Sequence, residues 1–419
     1  IKLIQEDAER VLQNSVRRGA TVDIEKTLKL AELRAGLIGR VEAFRKEANK
    51  VASAIPRVSD AEKQNLLKQG KKLKEDVKEV EAELRDVEVK LDFELKRYPN
   101  ILKDDVPDGN DESANEVMRT VGTPTEFSFE PKDHLEVGEA LGIIDVERAA
   151  KVSGARFTYL MGDAARLQFA LIGYAMDTLT KEDFVPILTP HLVKTEMMDA
   201  MGYLAHGGED EIYHMKNDDL VLIGTSEQSV GPMHSGETLP VDKLPLRYMG
   251  YSPCYRREAG SYGKDVKGIL RVHQFDKVEM FVYSDPDTSD SEHENILEMQ
   301  TKLMDGLELP YRVVRLCAGD TGMHSARTYD IETWMPAQKM YRETHSTSNT
   351  TDFQTRRLKT RIKKGGKSVF AHALNGTAFA IGRILIAIIE NNQQVDGTVS
   401  IPNVLRPYIG GQEKIVPRS

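Results

Sequence analysis

Between residues 248 and 283 the chain places charged and aromatic side chains at two-residue steps. Leu270, Val272, Val278, Met280 and Val282 fall on one face of an extended chain, interrupted by Gln274 and Asp276. Arg271, His273, Phe275, Lys277 and Glu279 fall on the other. Just upstream, around Cys254, the same alternation puts Arg256 and Glu258 on one side. Residues 259–269 contain Gly260, Gly263, Gly268, Lys264 and Lys267 and read as the loop of an antiparallel strand–loop–strand unit. Two arginines, an aromatic ring and two acids on common faces suit a nucleotide: guanidinium forks for phosphate, a ring for a base, a carboxylate for an amine. A salt-bridged solvent face of a sheet would show the same alternation, and spacing alone does not choose between them.

Arg383 is a further candidate. It interrupts an otherwise apolar run at 381–389, where a guanidinium is costly unless something pairs with it, which favours a ligand. No Ser/His/Asp or Cys/His nucleophile set is evident. The two cysteines, Cys254 and Cys317, lack partners at metal-ligand spacing, so neither zinc nor a disulfide framework is expected.

The elements that position these residues follow from periodicity. In the first hundred residues, apolar side chains recur at Ile24, Leu28, Ala31, Ala35 and Ile38. After one slip they continue at Val41, Phe44, Ala48, Val51 and Ile55. A second series runs Leu66, Leu73, Val77, Val80, Leu84, Val87, Leu91. These heptad steps predict two coiled-coil helices, and the PRVSD turn at 56–60 folds them into an antiparallel hairpin reaching roughly 50 Å at about 1.5 Å per residue. Lys68, Lys71, Lys72 and Lys74, with Lys63 and with Arg45, Lys46 and Lys50 on the facing arm, make its outer half basic. That is either a solvated coiled-coil surface or a contact for a phosphate backbone. Pro99 ends the hairpin, and the acidic DDVPDGNDESAN at 104–115 reads as a linker. The boundary is therefore set near 104, giving a helical domain over 1–104 and a domain of mixed strands and helices over 105–419.

Composition bounds the rest. With 419 residues, 40% hydrophobic and 29% charged, the chain is globular and long enough for an enzyme core. Its net charge of −9 disfavours nucleic-acid binding by the molecule as a whole but says nothing of local patches. No apolar run reaches membrane-spanning length and no secretory signal pattern opens the sequence, so a reducing cytoplasm is expected.

Longer runs carry a resemblance. CYRREAGSYGKDVKGILRVHQFDKVEM (254–280) resembles motif 2 of the seryl-tRNA synthetases, a family of class II aminoacyl-tRNA synthetases. LNGTAFAIGRILIAIIENNQQVDGTVSIPNVLRPYI (374–409) resembles motif 3 and the family's C-terminal tail. TYDIETWMPAQKMYRETHSTSNTTDFQTRR (328–357) resembles the strand before it, and FVPILTP (184–190) resembles motif 1 with its proline at Pro190. The hairpin fits the family's tRNA-binding arm. The resemblance implies an α+β protein: an N-terminal antiparallel coiled-coil hairpin, then a catalytic antiparallel sheet flanked by helices, paired as a homodimer through motif 1. It implies ATP-dependent activation of L-serine to seryl-adenylate and transfer to the 3′ end of tRNA(Ser), and to tRNA(Sec) where that tRNA exists.

Carried over residue by residue, the resemblance puts Arg256 at the α-phosphate and the substrate carboxylate, and Arg257 and Glu258 beside it in the ATP-binding stretch. Arg271 is a second ATP-binding cation, Val272 offers backbone to adenine, and Phe275 stacks on it. Glu343 and Ser346 match the Mg²⁺- and ATP-binding E-x-x-S, with Thr344 and His345 inside that stretch. Hard oxygens suit Mg²⁺, and a three-residue spacing on one face requires a bulge. Arg383 matches the γ-phosphate arginine. Thr225, Ser226, Glu227, Arg256, Glu279, Asn375 and Thr377 match serine-binding positions, and Lys68, Lys71, Lys72 and Lys74 the tRNA contact. Arg256, Arg383 and Glu343 would carry the charge of the reaction. The chain departs from the usual pattern at 225–232 (TSEQSVGP for TAEVPLTN), at 344–347, and at 202–215 (GYLAHGGEDEIYHM for an LPKF-containing run).

Overall fold

The structure, a computed structural model, describes residues 1–204, 208–259 and 268–417. It divides into two compact units, Ile1–Pro99 and Asn100–Ser419.

The first unit is built on helices α1 (Ile24–Ala54) and α2 (Asp60–Lys96), joined by the short 3₁₀ turn Ile55–Arg57. Ser59 starts α2: the Glu62 carboxylate accepts from its backbone N–H at 3.3 Å and from its hydroxyl at 2.9 Å. Leu37, Val41, Val80 and Val87 form the seam, with Leu30, Phe44 and Leu84 packed on it. The expected slip in α1 does not occur. The seam runs Thr27, Leu30, Arg34, Leu37, Val41, Phe44, Val51, and two polar residues hide it from a hydrophobic pattern. The Thr27 hydroxyl is 2.8 Å from that of Tyr98, and Arg34 pairs with Glu88 at 2.9 Å. Ile24, Leu28, Ala31, Ala35 and Ile38 lie beside the seam. Two short helices at Lys2–Glu6 and Ala8–Arg17 precede it, unannounced by the charged sequence there.

In the second unit eight strands form one sheet: β1 (Glu116–Val121), β2 (Val185–Leu188), β3 (Leu246–Tyr255), β4 (Gln274–Ser284), β5 (Tyr311–Arg315), β6 (Arg327–Met335), β7 (Met340–Thr351) and β8 (His372–Ala380). Their order is β1-β5-β6-β7-β8-β4-β3-β2, antiparallel throughout except for the β3–β2 pair at one edge. Helices α3 (Asp163–Thr180), α4 (Ser289–Leu307) and α5 (Ile381–Asn391) bury one face, where Leu167, Leu171, Ile296, Leu303, Ile384 and Leu385 pack on Val278, Met280, Val282 and Leu374. The opposite face is closed toward one end by a smaller core that includes Phe281, Tyr283, Leu358 and Ile362. The remainder of that face is polar. Among the described residues no helix is long and apolar enough to cross a membrane.

Two expectations change. The stretch 104–115 is no free linker: Asp105 accepts from Arg315 at 3.0 Å and from Arg327 at 3.1 Å, and Asn115 Oδ1 accepts from the Cys317 N–H at 2.9 Å. Asp105 is a partner for two largely buried arginines. The motif 2 strand begins at Gln274 rather than at 270. Arg256 N–H still donates to His273 O at 3.0 Å, but the His273 N–H is taken by Arg156 O at 3.0 Å, which ends the ladder. The 259–269 loop falls largely outside the described residues.

Candidate active site

The polar face of the sheet is a grid set by register. Gly250 on β3 faces Glu279 on β4, which faces Thr377 on β8; one row along, Ser252 faces Lys277, and beyond it Cys254 faces Phe275. Phe275, Lys277 and Glu279 therefore share a side, while Val278 and Met280 enter the helix-covered core.

Arg256 follows the last residue of β3. Its guanidinium carbon stands 5.3 Å from the centre of the Phe275 ring, and its Nε and Nη2 each donate to Gly224 O at 3.3 Å. Among the described residues it makes no ion pair. Its charge acts on Tyr203 on one side and on Glu343 on the other, so it stands between two halves of the site. Arg271 pairs with Glu258 at 3.3 Å. Glu258 has a φ of 49°, in the left-handed region, and its carbonyl accepts from Arg156 Nη1 at 3.2 Å. Val272 is buried in the turn before β4.

The E-x-x-S stretch lies on β7 with the required irregularity. Ser346 faces Asp330 and His345 faces Ile331, but Glu332 then faces Glu343, skipping Thr344. The bulge returns Glu343 to the side of Ser346, along with Asp330 and Glu332. Arg383, in the first turn of α5, reaches across: Nη1 donates to Glu343 O at 2.9 Å and lies 3.2 Å from its Oε2. The Glu343 side chain is 49% exposed; partial desolvation opposes its ionisation, but Arg383 first, then Arg256 and Lys277, outweigh it and hold its pKa below the ordinary value. Asp330 shows the reverse: burial, then the charge of Glu343, push its pKa well up.

The other half of the site is more deeply buried. Glu279 Oε2 is 2.6 Å from Lys277 Nζ and accepts from the Thr377 hydroxyl at 3.0 Å. Desolvation raises the Glu279 pKa despite Lys277. Glu227 accepts from Asn375 Nδ2 at 3.0 Å and from Gln354 Nε2 at 2.9 Å. The Thr225 hydroxyl oxygen accepts from the Glu227 N–H at 3.3 Å.

Residues 1–102 match the seryl-tRNA synthetase N-terminal domain and residues 211–392 the tRNA synthetase class II core domain (G, H, P, S and T). Serine–tRNA ligase 1 of Streptomyces avermitilis is 44% identical over 100% of the chain and 99% of its own length, and the serine–tRNA ligase of Thermobifida fusca is 45% identical over 98% and 97%. The seryl-tRNA synthetase of Pyrococcus horikoshii, solved with ATP, superposes with a TM-score of 0.90 at 39% identity, covering 100% of this chain and 99% of that one. The cytoplasmic serine–tRNA ligase of Naegleria fowleri, solved with AMP, gives 0.85 at 32% identity over 99% and 96%. The chain belongs to the seryl-tRNA synthetase family.

In this seryl-tRNA synthetase, four of the expected site side chains are not brought onto the polar grid. The Arg257 side chain is exposed while its N–H donates to Glu211 O at 2.9 Å, so it leaves the Arg256 side, as alternation requires. Ser226 is fully buried and its hydroxyl donates to Gly250 O at 3.1 Å, which ties the 225–227 turn to β3. The bulge turns Thr344 and His345 inward. The Thr344 hydroxyl lies 2.7 Å from that of Thr333, and the His345 ring lies 5.8 Å from Phe379 in the core, where burial pushes its pKa down to about 3. Neither side chain reaches the face of Glu343. Lys277 and Asp330 join the site although the sequence reading gave them no role. Lys277 sits on a face that alternation already marked as polar, which was the available signal; Asp330 lies on a strand whose faces the sequence reading did not assign.

The residues present fit Mg²⁺. Glu343, Ser346 and Asp330 bring hard oxygens to one side, and Asp330 Oδ1 is buried without a hydrogen-bond partner among the described residues. Among the described residues no group of three or more His, Cys, Asp or Glu side chains is placed to hold a metal ion.

Proposed function

We propose that this chain ligates L-serine to tRNA(Ser) in two steps. The serine carboxylate attacks the α-phosphorus of ATP in line, giving seryl-adenylate and pyrophosphate. The terminal ribose hydroxyl of the tRNA then attacks the adenylate carbonyl, releasing AMP. Arg256 binds the α-phosphate and the serine carboxylate, since its planar fork can engage two anions at once. Phe275 stacks on adenine, the Val272 backbone meets its edge, Glu258 and Arg271 flank the nucleotide, and Arg383 takes the γ-phosphate. Thr225, Glu227, Glu279, Asn375 and Thr377 hold serine. Mg²⁺ held by Glu343 and Ser346 would neutralise phosphate charge. The protein need supply no nucleophile: positioning and fixed charge carry the rate.

One observation carries this reading. An arginine without an ion pair among the described residues stands beside an aromatic ring, with Glu343–Arg383 on one flank and the buried Glu227 and Glu279 on the other. The test is ATP–pyrophosphate exchange with serine, threonine, alanine and glycine in turn. Serine alone should support rapid exchange, because a site that hydrogen-bonds the hydroxyl rejects alanine strongly. Equal exchange with alanine would sink the assignment.

The same reading makes the chain a cytoplasmic homodimer through motif 1. Val185 and Leu188 support it, exposed at 54% and 78% on the edge strand β2. An active monomer by light scattering would count against it. Lys68, Lys71, Lys72 and Lys74, all exposed on α2 and without ion pairs among the described residues, make the hairpin the tRNA arm.

A further inference from the structure

The two buried carboxylates of the amino-acid half of the site have different partners. Glu279 is matched by a cation, Lys277. Glu227 is 4% exposed and, among the described residues, is bonded only to uncharged donors. Its Oε1 accepts from both Gln354 Nε2 and Asn375 Nδ2, at 2.9 and 3.0 Å, and the Tyr203 phenol is hydrogen-bonded to the same carboxylate. A buried anion held by neutral donors is fully oriented yet lacks a counter-charge, and it binds a small cation strongly.

Gln354 has no role in the sequence reading. It is fully buried near the start of the short helix Phe353–Leu358, directly after β7. Its amide is braced from behind, because the Thr350 hydroxyl lies 3.2 Å from Gln354 Oε1 and 2.8 Å from Ala373 O. The carboxylate dictates the amide's orientation: a flipped Gln354 would aim its carbonyl at an anion.

We propose that Gln354 is a positioning residue for amino-acid selection, aiming the Glu227 carboxylate at the α-ammonium group of the substrate without touching the substrate itself. Gln354 and Asn375 occupy one carboxylate oxygen from the protein side, and the remaining lone pairs receive the ammonium. This rests on the serine–tRNA ligase reading and assigns the amine, rather than the hydroxyl, to Glu227.

The experiment is serine-dependent ATP–pyrophosphate exchange by the full chain carrying Gln354→Met or Gln354→Glu. Loss of one charge-assisted hydrogen bond should raise the serine KM by about ten- to a hundredfold in Gln354→Met, leaving the ATP KM within about twofold. Inhibition by L-glycerate, which keeps serine's carboxylate and hydroxyl but has no amine, should be unchanged. Gln354→Glu should be pH-dependent. Protonated, the new carboxyl donates as the amide does and the KM approaches the parent value; as pH rises, two carboxylates face each other and the KM climbs, while the parent and Gln354→Met stay flat. Should the Gln354 variants fail to fold, as judged by thermal melting, Thr350→Val loosens the brace and should still raise the serine KM several-fold with ATP binding intact. Parent exchange with an unaltered serine KM in these variants, or glycerate and ATP affinities falling alongside serine, overturns this inference alone. A parent chain with no serine-dependent exchange overturns the reading beneath it.

Discussion

Replacing Arg256 with alanine tests the charge proposed to meet the reacting phosphate. Of the arginines carried over from the family to the phosphates, Arg271 and Arg383 are each paired with a glutamate, whereas Arg256, among the described residues, bonds one backbone carbonyl at 3.3 Å and stands over Phe275. Its structural contribution is accordingly small: a long hydrogen bond and a cation–π contact, together about 1–2 kcal/mol, so the variant should melt within a few degrees of the parent. Its effect on adenylation should be much larger. Removing a preorganised donor to developing charge costs about 3–4 kcal/mol, and losing a bidentate charge-assisted contact to the serine carboxylate adds about 2 kcal/mol. The sum corresponds to a fall in kcat/KM on the order of 10³- to 10⁵-fold in serine-dependent pyrophosphate exchange. Arg256→Lys keeps the charge but not the fork and should recover only part of that loss. The control is Arg257→Ala, an exposed neighbour, which should stay within tenfold of the parent. Exchange by a folded Arg256→Ala protein within tenfold of the parent would refute the assignment of this guanidinium to the reacting phosphate.

Replacing Lys68, Lys71, Lys72 and Lys74 together with glutamine should leave pyrophosphate exchange intact while tRNA charging falls; up to four lost phosphate contacts should flatten the salt slope of tRNA binding by about three, and unchanged charging and slope would return the hairpin to a spacer. Asp330→Asn should stabilise the fold, and more so at pH 8 than at pH 5. Burial raises the Asp330 pKa, so native stability is lost as pH rises above the unfolded carboxyl's value, and asparagine escapes that loss; melting curves at the two pH values decide, and a stabilisation larger at pH 5 would reverse the sign. Gly250→Ala would put a methyl 2.7 Å from Ser226 Oγ and 2.9 Å from its Cβ, so it should displace the 225–227 turn, cost about 1–3 kcal/mol and raise the serine KM; a normal KM would mean that the turn is not anchored through Gly250.

Much of this was legible because antiparallel strands announce their faces. The pairing of Phe275, Lys277 and Glu279 on one side was readable from alternation, and the bulge between Glu343 and Ser346 from a spacing that no flat strand accommodates. Illegible features have in common a polar residue doing an apolar residue's work, or a contact between distant segments. Thr27 and Arg34 sit in the coiled-coil seam because each finds a partner, Tyr98 or Glu88, that no heptad count reveals. The acids at 104–115 read as a solvated linker until Arg315 and Arg327 are placed beside Asp105. Gln354 meets Glu227 only because β7 carries the following helix back over the 225–227 turn, 127 residues away in sequence. Ser226, flanked by two polar neighbours that face the site, gives no hint that its own hydroxyl is spent on Gly250.

The site and the core are one constraint seen from two sides of a sheet. A one-residue slip of β4 would carry Glu279 and Lys277 to the helix-covered face and Val278 and Met280 to the polar one. Val278, Met280 and Val282 are each fully buried against the helices, and each contributes about 1.5–3 kcal/mol that such a slip would forfeit. That apolar row offsets the cost of holding Lys277, Glu279 and Glu227 largely out of water, a cost the ion pair and the amide donors reduce without abolishing. It also locks the register on which every cross-strand distance in the site depends: Gly250 beside Glu279, Glu279 beside Thr377, Asp330 beside Ser346. The reacting groups therefore sit mostly on paired strands, where geometry is fixed by hydrogen-bonded neighbours on both sides. The exceptions include Arg256 and Arg271, one past the end of its strand and one before the start, Glu258 beside them, Arg383 at a helix start, and the 225–227 turn. The arginines among them are the cations expected to meet a bulky polyphosphate, and their places at element ends leave them free to adjust to it, while Glu279, proposed to hold the amino acid, is fixed by strand neighbours on both sides.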